Sequence, residues 1–300
     1  MTAQVATRPA ALSPVARRPR RDPAKVIREA LFYLAVVIVV LIALFPFYWI
    51  LRTALESNGQ VAAGVGGSNG IIPGSLSGTA FKDVFTQAQF LTPLRNSIIV
   101  ALATTAVTVV VASLAGYALA RLHVRGTGAI LAFILLAGFF PVIAMIGPLF
   151  LVLRSIGALN SIYPLIVVYL VYTLPISTWL LKSFFEQIPA DLEEAAEIDG
   201  ATRLQVLVKV IIPVAVPGVF TAAILSFILA WNDFAFAVSF LTSTSNFTAP
   251  LAITTFGQSG YQTYYNLIDA AVVIISIPIA LLVLAAQRRI VAGLTAGSFR

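Results

Sequence analysis

Residues 186–213 read EQIPADLEEAAEIDGATRLQVLVKVIIP and form the longest charged stretch in the otherwise apolar second half of the chain. The pattern predicts two short helices joined by a turn. Asp191 and Glu194 have the spacing of a capping box for the first helix, and Gly200 is expected to end it. Thr202 is a suitable N-cap for the second helix. The stretch is therefore expected to form a polar helical hairpin between apolar segments.

The composition of the whole chain is that of a polytopic membrane protein. Of its 300 residues, 59% are hydrophobic and only 10% are charged, whereas soluble domains average about 25% charged residues. The net charge of +7 does not indicate nucleic-acid binding, because the basic residues are not interleaved with aromatic residues on a polar face. The chain has no cysteine, which excludes disulfides and thiolate metal sites.

Six apolar stretches are each close to the length of about 20 residues that a membrane-spanning helix needs. Lipid cannot hydrogen-bond the backbone, so long continuous runs of this kind are expected to be helical. The predicted fold is all-α, a polytopic bundle of six transmembrane helices. The predicted spans are residues 31–51, 97–120, 129–153, 162–181, 214–240 and 267–286.

The distribution of basic residues predicts that both termini and the polar stretch are cytoplasmic. Fifteen of the nineteen Lys and Arg residues fall in 1–28, 121–128, 182–213 and 287–300, and only four fall in the segments on the other side. The predicted organisation is a disordered basic cytoplasmic tail (1–29), a six-helix transmembrane domain (30–287) and a cytoplasmic carboxyl-terminal tail (288–300).

Polar and aromatic residues in the spans are candidates for a translocation pathway. Asn232 and Asp233 interrupt the fifth span, and a carboxylate in hydrocarbon should face a bundle interior or a watery cavity. Tyr172 and Trp231 offer flat faces on which sugars stack. The alternative is that Asp233 is solvated near the membrane interface and that the aromatic residues only pack.

No catalytic or metal-binding constellation is found. His123 is the only histidine, and with no second imidazole or cysteine a metal site is not expected. The chain has no G-x-x-x-x-G-K-[ST] phosphate loop and no G-x-S-x-G elbow. An energy source, if one is used, must lie in another protein.

The order Glu194-Ala195-Ala196, three residues and then Gly200 resembles the EAA loop of ATP-binding-cassette (ABC) import permeases. The family pattern ends in Ile-x-Leu-Pro, and here VIIP at 210–213 stands in that place. The segments 95–122, 228–234 (ILAWNDF) and 287–300 are similar to the carbohydrate-uptake branch, specifically to its shorter, maltose-type permease subunit.

This resemblance implies a role for the polar stretch. Glu194, Ala195, Ala196, Asp199 and Gly200 would form a coupling helix and its stop, with Glu194 meeting a basic residue of a cytoplasmic ATPase. The chain would be a non-catalytic permease subunit of a sugar importer, in the cytoplasmic membrane of a bacterium, without a cofactor of its own.

The resemblance also implies partners and a substrate class. The expected partners are a second permease subunit, two ATPase subunits that bind ATP and Mg, an extracellular solute-binding lipoprotein, membrane lipid and the sugar, with no nucleic acid. The expected substrate is a disaccharide such as trehalose. Another sugar, a polyol or a glycerol-phosphate-type substrate is the alternative, and an ion-coupled secondary transporter remains a further one.

Overall fold

The computed structural model describes residues 23–57, 59, 61, 76–122, 124–259 and 262–296. This part of the chain is almost entirely helical, apart from an antiparallel pair of two-residue strands, β1 (Gln258–Ser259) and β2 (Gln262–Thr263). The α-helices are α1 (Pro23–Ala54), α2 (Thr79–Thr86), α3 (Ala88–Arg121), α4 (Thr127–Gly138), α5 (Val142–Ser155), α6 (Tyr163–Glu186), α7 (Asp191–Ile198), α8 (Arg203–Val206), α9 (Ile212–Val214), α10 (Val216–Trp231), α11 (Ala235–Phe240), α12 (Ala249–Ala252) and α13 (Tyr265–Ala296).

Within the described residues, α1, α3, α6 and α13 are long and apolar enough to cross a membrane. Two bent pairs of helices bring the number to six if each pair makes one span: α4 with α5, at 85°, and Arg203–Val214 with α10, at 86°. The predicted all-α polytopic membrane fold is confirmed. The predicted limits of the fifth span, 214–240, are wrong, because α10 ends at Trp231 and a sharp bend precedes α10.

The predicted amino-terminal tail lies largely outside the described residues, whereas most of the predicted carboxyl-terminal tail is described. Residues 1–22 of the predicted disordered tail are not described, but the last seven residues of that tail, 23–29, belong to α1. At the other end, α13 continues to Ala296, so most of the predicted tail 288–300 is helical. His123 also lies outside the described residues.

Close packing of α3, α6 and α10 forms the centre of the bundle. Gly116 of α3 lies so close to α6 that a Cβ at this position would be 3.0 Å from the backbone nitrogen of Lys182. A Cβ at Gly218 of α10 would be 2.4 Å from the Phe184 ring. Small residues at such positions let membrane helices approach each other. Paired hydroxyls, Thr108 with Thr173 at 2.8 Å, add a buried hydrogen bond between α3 and α6.

Asn160, in the turn between α5 and α6, hydrogen-bonds to the backbone at the end of α11 and just after it. Its φ of 57° is left-handed, a conformation that Asn adopts more readily than most residues. Its Oδ1 accepts from the backbone N–H groups of Thr242 and Ser243 at 3.0 and 2.9 Å. Its own N–H donates to the Phe240 carbonyl at 2.8 Å. These bonds hold the end of α11 against the α5–α6 turn.

Candidate functional site

The polar hairpin, residues 189–213, begins with α7, but its first cap differs from the prediction. The N-cap is Ala190, no side chain caps the helix, and Asp191 already lies in its first turn. The amides of Glu193 and Glu194 both bond to the Ala190 carbonyl, at 2.9 and 3.1 Å. The predicted Asp191–Glu194 capping box is therefore wrong. The acidic side chains of the first turn instead lie where the helix dipole favours negative charge.

Gly200 ends α7, as predicted. Its φ of +85° is left-handed, which glycine adopts without a Cβ penalty. The Gly200 amide donates to the Glu197 carbonyl at 3.0 Å, and the Ala201 amide donates to the Ala196 carbonyl at 3.0 Å. These are the two bonds of a Schellman motif, which satisfies the last carbonyls of the helix.

The second helix of the hairpin is capped as predicted, and helical backbone continues past Pro213. Thr202 and Gln205 form a reciprocal capping box at the start of α8. The chain then passes through a π-helical turn, Leu207–Ile211, into α9 and bends into α10. Proline at the start of α9 needs no backbone donor there. The second arm of the hairpin is thus continuous in sequence with a central helix of the bundle.

A buried ion pair fastens the hairpin to the end of α3. Arg121 Nε lies 2.8 Å from Glu193 Oε1, with side chains 15% and 8% exposed. Tyr117, one turn earlier, donates its hydroxyl to the other Glu193 oxygen at 3.2 Å. Arg121 Nη2 also donates to the carbonyls of Phe185 and Ile188, the first at 2.6 Å. One guanidinium thus joins α3, the end of α6 and the hairpin.

Sequence reasoning missed both Arg121 and Glu193. An arginine at the end of a span is ordinary under the positive-inside rule, and Glu193 is one of several acids in its helix. Nothing in the sequence distinguished the buried acid from its exposed neighbours.

The opposite face of α7 is open. Glu194, Ala195, Asp199 and Gly200 are exposed, and Ala196 is half-buried. Two large apolar side chains of α7 are also exposed, Leu192 at 43% and Ile198 at 86%. The predicted coupling residues therefore lie together on or beside an accessible surface that combines acid with apolar contact area.

The second group of predicted residues surrounds Asp233. Its Oδ2 accepts from the Tyr169 hydroxyl at 2.7 Å and from the Ala237 amide at 3.2 Å. The ring centroids of Tyr169 and Tyr172 lie 5.7 Å apart. Phe236 stacks on Tyr172 with 6.3 Å between the ring centroids. We call Tyr169, Tyr172, Asp233 and Phe236 the Asp233 cluster. The cluster joins α6 to the start of α11.

Two predicted pathway residues have unused polar atoms. The hydroxyl of Tyr172 and the indole Nε1 of Trp231 are buried and have no hydrogen-bond partner among the described residues. Trp231 stacks on Phe227 at 5.4 Å. Asn232 is exposed and is not part of this cluster, since its side chain donates back to the Ile228 carbonyl at 2.9 Å.

Comparison with known proteins identifies the family. A family model described as "binding-protein-dependent transport system inner membrane component" matches residues 109–295. The chain belongs to this family. It is a non-catalytic permease subunit of the ABC importer type, in the carbohydrate-uptake branch that its motifs resemble, and the EAA motif lies on α7, as expected for the coupling helix of the family.

Curated relatives cover nearly the whole chain. The chain shares 41% identity with the trehalose transport system permease protein SugB of Mycobacterium tuberculosis (strain CDC 1551 / Oshkosh). The alignment covers 86% of this chain and 93% of SugB. The chain shares 38% identity with the sulfoquinovosyl glycerol transport system permease protein SmoH of Agrobacterium fabrum (strain C58 / ATCC 33970). The alignment covers 91% of this chain and 94% of SmoH.

A solved structure has the same fold. A subunit of a bacterial ABC transporter involved in the import of the acidic polysaccharide alginate matches with a TM-score of 0.76, at 24% identity, covering 90% of this chain and 99% of that one. This likeness concerns the fold alone. In the part of the chain that the structure describes, no three His, Cys, Asp or Glu side chains lie close enough together to hold a metal ion.

Proposed function

We propose that the polar hairpin is the element through which a cytoplasmic ATPase drives this permease. The observation that carries the proposal is the division of α7 into two faces. Glu193 on one face is buried in an ion pair with α3, whereas Leu192, Glu194 and Ile198 are exposed. A helix held firmly on one side, with acidic and large apolar side chains on the exposed side, is suited to a protein partner.

Glu194 is the proposed charged contact. A basic residue of the ATPase would pair with it, and desolvation by the neighbouring apolar side chains would strengthen that pair. Ala195 and Ala196 permit close approach, while Asp199 and Gly200 end the helix at the edge of the contact. Closure of an ATPase dimer would move the hairpin and, with it, the helices to which the hairpin is attached.

The assembly follows from this role. We propose that this chain pairs with a second permease subunit, that two ATPase subunits bind ATP and Mg on the side of the hairpin, and that a solute-binding protein delivers substrate on the opposite side. This orientation puts both termini in the cytoplasm of a bacterium. The basic-residue distribution supports it.

We further propose that the substrate is a disaccharide of the trehalose type. The support is the 41% identity to the trehalose permease SugB. The Asp233 cluster is the proposed pathway contact of this subunit, with Asp233, Tyr172 and Trp231 as its polar and aromatic groups. The unpartnered Tyr172 hydroxyl and Trp231 Nε1 are donors that sugar oxygens would satisfy. Asn232 would border the pathway from its exposed position.

The test is ATP hydrolysis by the complex that co-purifies with this chain from its native membrane, reconstituted with binding protein and trehalose. Glu194→Lys should reduce sugar-stimulated hydrolysis about tenfold or more, since loss of a buried charge pair costs about 2–5 kcal/mol and 1.4 kcal/mol is tenfold. Gln187→Lys, which adds positive charge at an exposed site before the hairpin, is the matched control. Full stimulation in Glu194→Lys would contradict the proposed contact.

A further inference from the structure

A polar cavity of about 470 Å³ lies at the end of α3 away from the hairpin. Gln87 and Gln89, at the start of α3, line this cavity, whereas Arg121, which holds the hairpin, is the last residue of α3. The 34 residues of α3, rising about 1.5 Å each, separate the two ends by about 50 Å. The cavity and the hairpin therefore lie on opposite sides of the membrane.

Asn266 in the cavity wall has an unused hydrogen-bond acceptor. The residue is only 7% exposed, and its Nδ2 donates to the Glu56 carbonyl at 3.3 Å. Its Oδ1 has no partner among the described residues. Leaving a buried acceptor unsatisfied costs about 1–3 kcal/mol. A ligand hydroxyl donating to Asn266 Oδ1 would recover that free energy.

The other lining residues suit a polyhydroxylated ligand. Gln87, Gln89 and Gln258 contribute side-chain amides, and Thr79 and Thr86 contribute hydroxyls. An amide donates and accepts at the same time, so it can bond to two neighbouring sugar hydroxyls. The volume is within the range of about 300–1,000 Å³ that small-molecule sites occupy.

The charge of the lining indicates a neutral ligand. Asp83 carries the one charge among the described lining residues, and no Lys or Arg is found among them. A carboxylate accepts hydrogen bonds from hydroxyls but repels a sulfonate or a second carboxylate. The lining therefore favours neutral saccharides over acidic ones.

We propose that this cavity is a subsite for a neutral saccharide, located on the side of the membrane opposite the polar hairpin. The inference rests on the proposed function, which places sugar arrival on that side. The subsite would hold a sugar that has left the binding protein before it reaches the Asp233 cluster.

The absence of cysteine from the chain allows a direct test. In the co-purified complex, Thr86→Cys places a thiol in the cavity wall, and Lys82→Cys places one on the exposed surface of the same helix, outside the lining. Labelling with a membrane-impermeant maleimide is followed with trehalose, maltose or sulfoquinovosyl glycerol, without binding protein. At a concentration of a neutral sugar ten times its Kd, labelling at Thr86→Cys should slow about tenfold.

Lys82→Cys should label at the same rate in all conditions, and the anionic sulfoquinovosyl glycerol should not protect Thr86→Cys. Adding Asp83→Ala, an exposed substitution, should weaken protection by neutral sugars. Two results would overturn the proposal: no protection by any neutral sugar, or equal protection of Lys82→Cys. ATP-driven uptake of trehalose without protection would refute the subsite alone, whereas protection without uptake would refute the proposed transport function.

Discussion

Removing Arg121 should release the polar hairpin from the bundle. In Arg121→Met, Glu193 keeps only the Tyr117 hydroxyl as a partner and stays buried. Loss of one partner of a buried ion pair costs about 3–5 kcal/mol. The Arg121 side chain is 15% exposed, so the lower end of this range applies. With 1.4 kcal/mol for each factor of ten, the undocked population should rise about a hundredfold.

A single thiol reports on this undocking. Val206 in α8 is fully buried in an apolar cluster that also contains Phe185 and Ile188, and Val206→Cys would be the only cysteine of the chain. When reclosing is fast compared with labelling, the maleimide reaction rate follows the open population. Arg121→Met in this background should therefore label about a hundredfold faster at equal reagent concentration.

The hairpin contains its own control. Arg203 and Glu197 lie 2.7 Å apart, but their side chains are 59% and 35% exposed. Exposed pairs contribute about 0.2–1 kcal/mol, so Arg203→Met should accelerate labelling about fivefold at most. The two variants remove the same type of side chain from pairs of similar length, and the two pairs differ in burial.

A double variant tests the physical reason. In Glu193→Met, Arg121 retains the carbonyls of Phe185 and Ile188 as acceptors, so the effect should be smaller than that of Arg121→Met. The double variant should label close to the rate of Glu193→Met, because no buried charge is left unpaired. Equal acceleration by Arg121→Met and Arg203→Met, or a double variant as fast as Arg121→Met alone, would refute the reasoning.

Two glycine substitutions give further predictions. Gly200→Ala should destabilise the docked hairpin by about 1–2 kcal/mol through the left-handed φ of this position alone, since no atom lies within 4 Å of a Cβ built there. The labelling rate of Val206→Cys should therefore rise roughly tenfold. Gly128→Ala, at a position that is equally open but has no positive φ, should leave that rate unchanged. Gly218→Ala should lower the thermal unfolding midpoint of the purified chain, because its Cβ would lie 2.4 Å from the Phe184 ring and overpacking costs about 1–3 kcal/mol. Adding Phe184→Leu should restore much of the lost stability. Gly147→Ala, with open space around it, should leave the midpoint unchanged.

The bundle and the end of α7 were predictable because they depend on local patterns. Long apolar runs can only be helices in lipid, and Gly200 ends a helix through its own backbone freedom. The capping box failed because Asp191 and Glu194 satisfy the spacing rule at a place where the helix already begins one residue earlier. Spacing identifies a compatible cap and does not exclude a helix that starts before it.

The remaining features depend on contacts between distant parts of the chain. Arg121 and Glu193 are 72 positions apart in sequence, and only the packing of α3 against α6 brings them together. The same applies to Tyr169 with Asp233 and to Asn160 with the chain after α11. The bends before α10 and between α4 and α5 could be suspected from prolines and glycines, but their angles are set by tertiary packing.

Two of the hairpin's attachments to the bundle together suggest how its movement reaches the pathway. One is the Arg121–Glu193 pair to α3; the other is the continuous chain through the π-helical turn and α9 into α10. α10 ends at Trp231, two residues before Asp233, and α3 begins at the polar cavity. Because α3 and α10 also pack on each other, we infer that a displacement of the hairpin acts on both helices at once. Without the ion pair, a moving hairpin would still displace α10 but no longer α3. ATP hydrolysis should then continue, while the amount of sugar taken up per ATP falls.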